Sequence, residues 1–257
     1  MGTIAYEKDK HVAILTIQKP PANALSSQLI KDIDSKLDEI EKDTDIKAIV
    51  LKGEGKFFSA GADIKEFTSL QNASDYQTLS ENGQEIFDRI ENFSIPVIAA
   101  IHGAALGGGL ELAMACHIRF VTESAKLGLP ELTLGIIPGF AGTQRLPRYV
   151  GAAKAYEMLL SGVPITGNEA HSYGLANRVL PDDEIFNEAI KLAKNIASKS
   201  KPTINHVMRL ITYTKSDKFK DGVQEEAKAF GEIFGSDDAK EGIQAFLDKR
   251  KPNFQDK

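Results

Sequence analysis

Two glutamates and two small-residue loops are the features of this chain whose types and spacing could do chemistry. One loop surrounds Gly61 and Ala62, and the other is the run Gly107-Gly108-Gly109; each follows a predicted strand and opens a predicted helix. Backbone N–H groups at such starts have no partner inside the helix and point toward anions. Two of them aimed at one oxygen would stabilise an enolate formed from a thioester carbonyl. Glycine and alanine suit that task, since a larger side chain would block the approach of a substrate. Taken alone, the glycine run is also compatible with close packing of a helix against a sheet.

Glu111 lies two residues after the run, within the first helical turn, where the helix dipole favours the charged carboxylate. Glu131 follows Pro130 amid Leu129, Leu132, Leu134 and Ile136. Apolar surroundings would favour its protonated form, although a solvent-facing loop acid fits the same letters. Competing motifs fail. GEGKFF has Phe58 where a dinucleotide fingerprint needs its third glycine, and no phosphate-binding G-x-x-x-x-G-K-[ST] occurs. Ser59 in FFSAG lacks the glycine of a nucleophile elbow, because Phe57 stands there. His11, His102, His117, His171 and His206 show no close metal-ligand spacing.

The elements that must position these groups follow from hydrophobic period. Residues 3–18 predict two strands joined at Asp9 and Lys10, with the β-branched run VAILTI as the second. Leu29, Ile33, Leu37 and Ile40 recur at helical spacing between Ser26 and Lys42. IKAIVLK (46–52) and IPVIAAIHG (95–103) are short buried strands, each running into one of the small-residue loops, and a helix pair is expected over 64–93. Further strands are predicted at 117–123 and 176–181, and Thr166-Gly167-Asn168-Glu169 has the spacing of a capping box that starts a short helix, ended by Gly174. Residues 184–250 are helical in pattern, with a polar punctuation at 198–202. The chain therefore divides into 1–198, an α/β core carrying the site, and 199–257, a helical segment whose apolar stripes would pack on the core or on another subunit.

The apolar fraction of 42% and charged fraction of 26% are those of a globular protein with a sizeable core. No apolar run approaches the ~18 residues of a membrane span. The single cysteine, Cys116, has no disulfide partner, which fits a reducing, cytoplasmic setting and a buried thiol. A net charge of −5 argues against nucleic acid as a principal partner.

With these residues in view, the segments KFFSAGADIKEF, AALGGGLELAMAC and GLPELTLGIIPGFAGTQRLPR resemble the signature segments of the crotonase, or enoyl-CoA hydratase/isomerase, family, and the similarity extends to the tail EGIQAFLDKRKPNF. The resemblance implies a crotonase-like spiral of repeated ββα units with a C-terminal helical trimerisation segment, assembled as a homotrimer or a dimer of trimers. It implies that the N–H groups of Ala62 and Gly108 form the oxyanion hole and that Glu111 and Glu131 are the catalytic acids. Ala60, Asp63, Ile64 and Lys65 match the loop that wraps the CoA moiety, Lys56 and Lys65 are expected near its phosphates or adenine, and Phe246 and Lys249 resemble residues that close the pocket. Family isomerases typically lack the acid at the Glu111 position, so the pair implies hydration of a 2-trans-enoyl-CoA to the 3-hydroxyacyl-CoA. CoA would enter as part of the substrate, with no other cofactor. Isomerisation, hydration of a branched or functionalised acyl-CoA, and an RNA-binding role are the alternatives. Two departures from the common family pattern stand out: His117 in place of aspartate, and Phe140-Ala141 in place of a smaller pair at the expected pocket wall.

Overall fold

The computed structural model describes residues 3–67, 72–215 and 218–257. The chain opens with a hairpin, β1 (Ile4–Asp9) and β2 (Val12–Ile17), turned at Lys10. Ser26 then caps α1 (Ser27–Lys42), its side chain accepting the Leu29 N–H at 3.3 Å. The stripe Leu29, Ile33, Leu37 and Ile40 is buried. Each such side chain contributes about 1.5–3 kcal/mol on full burial, so the stripe holds the helix to the sheet more firmly than propensity does.

There follow β3 (Ala48–Gly53), the single turn α2 (Ile64–Phe67), α3 (Ala73–Glu91), β4 (Val97–Ile101), β5 (Ala104–Leu106), α4 (Gly108–Ala115), β6 (Ile118–Thr122) and β7 (Lys126–Gly128). A 3₁₀ turn at Glu131–Leu134 leads to α5 (Gly142–Ser161), β8 (Ile165–Thr166), α6 (Gly167–Ser172) and β9 (Arg178–Leu180). The chain ends in α7 (Ile185–Ala197), α8 (Lys201–Ile211), a 3₁₀ turn at Thr212–Lys215, α9 (Phe219–Phe234) and α10 (Asp237–Leu247). The capping box at Thr166 and Glu169 is formed in both directions. Of the helix pair expected over 64–93, residues 68–71 lie outside the described residues, as do 216 and 217 of the helical tail.

One sheet has the order β1-β2-β3-β4-β6-β9, parallel except for the first pair, and the other has the order β5-β7-β8. The central strands are buried on both faces, as parallel strands covered by helices require. Alternate residues serve the two faces: Val50, Ile98 and Ala100 pack with Ile185, Ala189 and Ala193 of α7, whereas Leu51, Ala99 and Ile101 join the larger cluster with α1, α3 and α4.

The repeat is visible in β4-β5-α4 and again in β6-β7-α5: one strand enters the large sheet, the next enters the small one, and a helix returns. Isolated bridges Ser59↔Ala105 and Leu25↔Ala62 extend the small sheet's pairing toward the earlier repeats. The small sheet is absent from the sequence expectation. Its strands AAL, KLG and IT have at most three residues and show no alternation. AALGGG accordingly reads as a loop from composition, although its first half is strand.

The tail is stitched to the core. Asp238 accepts the N–H groups of Gln255 and Asp256 at 2.7 and 2.9 Å, and the Asp256 carboxylate meets the buried Lys47 ammonium and the Lys201 N–H, both at 2.7 Å. The core thus receives an ion pair from the far end of the chain.

Candidate active site

The two loops predicted to bind an oxyanion lie against each other. Leu106 N–H donates to Ser59 O and Ser59 N–H donates to Ala104 O, both at 3.1 Å, so β5 carries the Ser59–Ala62 segment alongside the start of α4. Glycine is required where they touch. Gly61 has φ 106°, and a Cβ there would lie 3.0 Å from Leu106 O; Gly107 has φ 50°, and a Cβ there would lie 3.0 Å from Glu131 Oε1. Both are left-handed conformations that L side chains disfavour. Gly108 begins α4, so its N–H has no acceptor within the helix. No acceptor for the Ala62 or Gly108 N–H occurs in the loop and turn hydrogen bonding of the described residues.

Both loops and both acids open on one cleft of about 1030 Å³. Ala60, Gly61, Ala62 and Ile64 line one side, and Gly107, Gly108, Glu111 and Glu131 line another. Tyr76, Leu134, Ile136 and Ile137 are exposed apolar side chains along the same cleft. Such a lining suits a long, largely apolar ligand that is oriented by a few polar groups.

The glutamates occupy different environments. Glu111, 1% exposed, has Oε1 accepting two backbone N–H bonds, from Phe140 at 2.8 Å and from Gly142 at 2.7 Å. Burial pushes its carboxyl up to about 7; the Gly142 donor opposes, the nearby Glu131 adds to the rise, and Phe140 and Arg145 oppose. This corrects the expectation of an ordinary ionised first-turn acid, because desolvation outweighs the helix end. Glu131 opens the 3₁₀ turn, and burial raises its pKa as well. Its Oε2 is buried and has no hydrogen-bond partner among the described residues. Glu131 is half-buried, with Oε2 turned inward while the flanking Leu132, Leu134 and Ile136 are exposed, so its setting lies between the two readings. The two backbone donors limit the rise at Glu111 and leave it titrating near neutral, where a group can both take up and release a proton, while at Glu131 its own backbone N–H opposes the rise and Oε2 stays without a donor.

The remaining predicted contacts stand outside the cleft lining. Asp63 turns to Lys19, 2.8 Å away, while its N–H donates to Leu25 O, so it pins the loop. Lys56 and Lys65 are exposed on the same segment without lining the cleft. Phe246, 81% exposed on α10, and Lys249 just beyond that helix also line no part of it, because α10 packs on α9. The donors Phe140 N–H and Gly142 N–H escaped sequence reasoning, since backbone groups carry no letter. The Pro138-Gly139 and Gly142 turn residues were the available signal. Among the described residues, no cluster of three or more His, Cys, Asp or Glu side chains could hold a metal ion.

A ββα spiral with two N–H-bearing loops, one buried acid and one half-buried acid on one cleft defines the crotonase class of folds. The chain belongs to the enoyl-CoA hydratase/isomerase family, whose sequence model matches residues 7–257. It is 57% identical over 256 residues to a probable enoyl-CoA hydratase of Bacillus subtilis (strain 168), with 99% of each chain covered. It is 39% identical to the short-chain-enoyl-CoA hydratase of Clostridium acetobutylicum, covering 98% of this chain and 97% of that one. The crystal structure of an enoyl-CoA hydratase from Bacillus anthracis superposes with a TM-score of 0.94 at 36% identity, covering 99% of this chain and 100% of the other.

Proposed function

We propose that this enzyme, an enoyl-CoA hydratase, adds water reversibly across the 2,3 double bond of a 2-trans-enoyl-CoA, with Glu111 as the base toward water and Glu131 as the proton donor to C2. The observation that carries the assignment of roles is the asymmetry of the two acids. Glu111 accepts two backbone N–H bonds and Glu131 has a buried oxygen without a donor. Glu111 takes a proton from water as the oxygen bonds to C3. The electron pair of the double bond moves onto the thioester carbonyl, whose oxygen receives the Ala62 and Gly108 N–H groups. Glu131 then delivers its proton to C2 as the enolate collapses. One water is added overall, and the acids exchange protonation states to be reset by solvent.

CoA is part of the substrate in this reading, and no further cofactor takes part. The segment from Ala60 to Lys65, together with Lys56, is expected to receive the CoA moiety, with fatty-acid or related acyl-CoA metabolism as the setting. Assembly is proposed to be a homotrimer or a dimer of trimers, through the exposed apolar side chains of α8–α10. A cytoplasmic location is part of the same proposal; no helix among the described residues is long and apolar enough to cross a membrane.

The test is turnover of a panel of short, medium and branched enoyl-CoA esters by the wild-type chain, followed as loss of the conjugated thioester absorbance. Hydration of crotonyl-CoA without added metal or RNA is the expected result. Absence of hydration across the panel would overturn the reading.

A further inference from the structure

Glu111 owes its two N–H bonds to a turn, Gly139–Gly142, that the local backbone does not favour. Ala141 at its centre sits at φ 68°, a left-handed conformation that L residues other than glycine disfavour. The carbonyls of Gly139, Phe140 and Ala141 are all spoken for. Gly139 O accepts from Ser80 Oγ and from Gln84 Nε2 of α3, and Ala141 O accepts the N–H groups of Gln144 and Arg145 at the start of α5. Between them, Phe140 O accepts Arg145 Nη1 at 2.8 Å, and Arg145 Nε reaches the Glu91 carboxylate at 2.7 Å. Arg145 is buried and lines no part of the cleft.

We propose that Arg145 is a positioning residue for Glu111: anchored on Glu91, its guanidinium holds the Phe140 carbonyl, and thereby aims the Phe140 and Gly142 N–H groups at a single oxygen of the Glu111 carboxylate. This role rests on the two-acid hydration reading for its catalytic consequence, though not for its geometry. The fork shape matters, because one cation must satisfy a carboxylate in one direction and a carbonyl in another. A lysine ammonium has one nitrogen for both.

The charges around the device are few. Glu111 faces Glu131 from the 3₁₀ turn and Arg145 from α5. Glu91, on α3, faces Arg145, Arg148 at 3.4 Å and Lys215 at 3.2 Å, the last from the turn after α8. His117, after α4, lies near the same group; burial pushes it down to about 4, so it stays neutral, and its Nδ1 accepts the Val97 N–H. Removing Arg145 therefore has a different sign from removing Glu91. Without Arg145, the donors lose their aim and a cation is lost. Without the Glu91 charge, an amide oxygen can still hold the Arg145 Nε–H, while the cation's field goes uncompensated.

The experiment titrates the Glu111 carboxyl band by infrared spectroscopy in the full-length protein without substrate, with the band assigned by its loss in Glu111→Gln. Arg145→Gln is expected to raise the midpoint by about one pH unit, the low end of the effect of a neighbouring opposite charge. Glu91→Gln is expected to leave it at or below the wild-type value. In hydration assays the acid limb of kcat should move with the band while KM stays near wild type, because Arg145 does not touch the cleft. An unmoved midpoint in Arg145→Gln, or parallel rises in both variants, would overturn the proposal, since a merely loosened fold raises both. If Arg145→Gln does not fold, Arg145→Lys carries the same test: a raised midpoint supports the role, and a wild-type midpoint refutes it. A wild-type enzyme that hydrates no ester would sink the functional reading and leave this titration intact.

Discussion

At Glu111, burial and backbone donation pull the proton in opposite directions, and burial wins. The consequence for stability has a definite sign. The folded pKa is raised from 4.5 to about 7, so the stabilisation this group contributes is complete below the lower value and lost as the pH climbs through the upper. Above it, the buried carboxylate costs on the order of 3 kcal/mol. Glu111→Gln keeps an oxygen for the Phe140 and Gly142 donors, so its unfolding free energy should exceed wild type by a margin that grows between pH 5 and pH 8. Urea denaturation at the two pH values measures that margin, and a constant difference would mean that the carboxyl does not titrate there. For catalysis, Glu111→Gln and Glu131→Gln should each lower kcat by about 10²–10⁴-fold, the usual worth of a positioned acid or base, with CoA binding nearly intact. Exchange of the C2 proton of a saturated acyl-CoA should depend on Glu131 far more than on Glu111; equal losses would remove the division of labour. That the two glutamates meet on one cleft was legible in the sequence. The protonation balance was not, because the donors on Glu111 come from the backbone 29 and 31 residues away, and no letter records them.

At the level of elements, the two loops work as a unit because β5 pairs beside Ser59 and brings glycines into contact where any side chain would intrude. Gly108 shows what is at stake. A Cβ there would lie 3.2 Å from the Phe140 ring and 3.4 Å from Leu25 Cδ1, so the branched side chain of Gly108→Val must displace the ring that seats the Glu111 donors. Turnover should fall by about 10²-fold or more, as when one oxyanion donor is lost. Near-normal kcat in a folded Gly108→Val protein would take this loop out of the mechanism. The long elements were readable because apolar pattern and burial agree: α1 is placed by its stripe and β4 by its continuous apolar run. β5, β7 and β8 were not, since strands this short owe their existence to partners distant in sequence. Phe140 marks another limit. The sequence flagged it at a pocket wall, but only the fold reveals that Gly83 on α3 leaves room for its ring, edge-on to Phe87 at 5.3 Å.

Over the whole molecule, the helices after residue 200 carry a series of large apolar side chains in solvent. Val207, Ile211, Val223, Phe230, Phe234, Phe246 and Leu247 are all exposed on α8–α10, and Phe230 stacks on Phe234 at 5.4 Å. Clustered exposure of this kind marks an interaction surface. Phe230→Asp should therefore shift sedimentation toward smaller species without unfolding the chain, and an unchanged profile would exclude that face from assembly. Truncation after Ser200 makes the stronger test, because the segment does two jobs. It carries the exposed face, and it returns Asp256 to Lys47, whose ammonium is buried and would lose its carboxylate. A buried cation stripped of its partner typically costs about 3–5 kcal/mol, a large share of an ordinary domain's stability. It also removes Lys215, one of three cations on Glu91. The 1–200 fragment is expected to aggregate or to lack hydration activity, with Lys47→Met in the fragment recovering solubility in part by removing the orphaned charge. A soluble, monomeric and fully active 1–200 fragment would show instead that the core and its site stand complete without the helical segment.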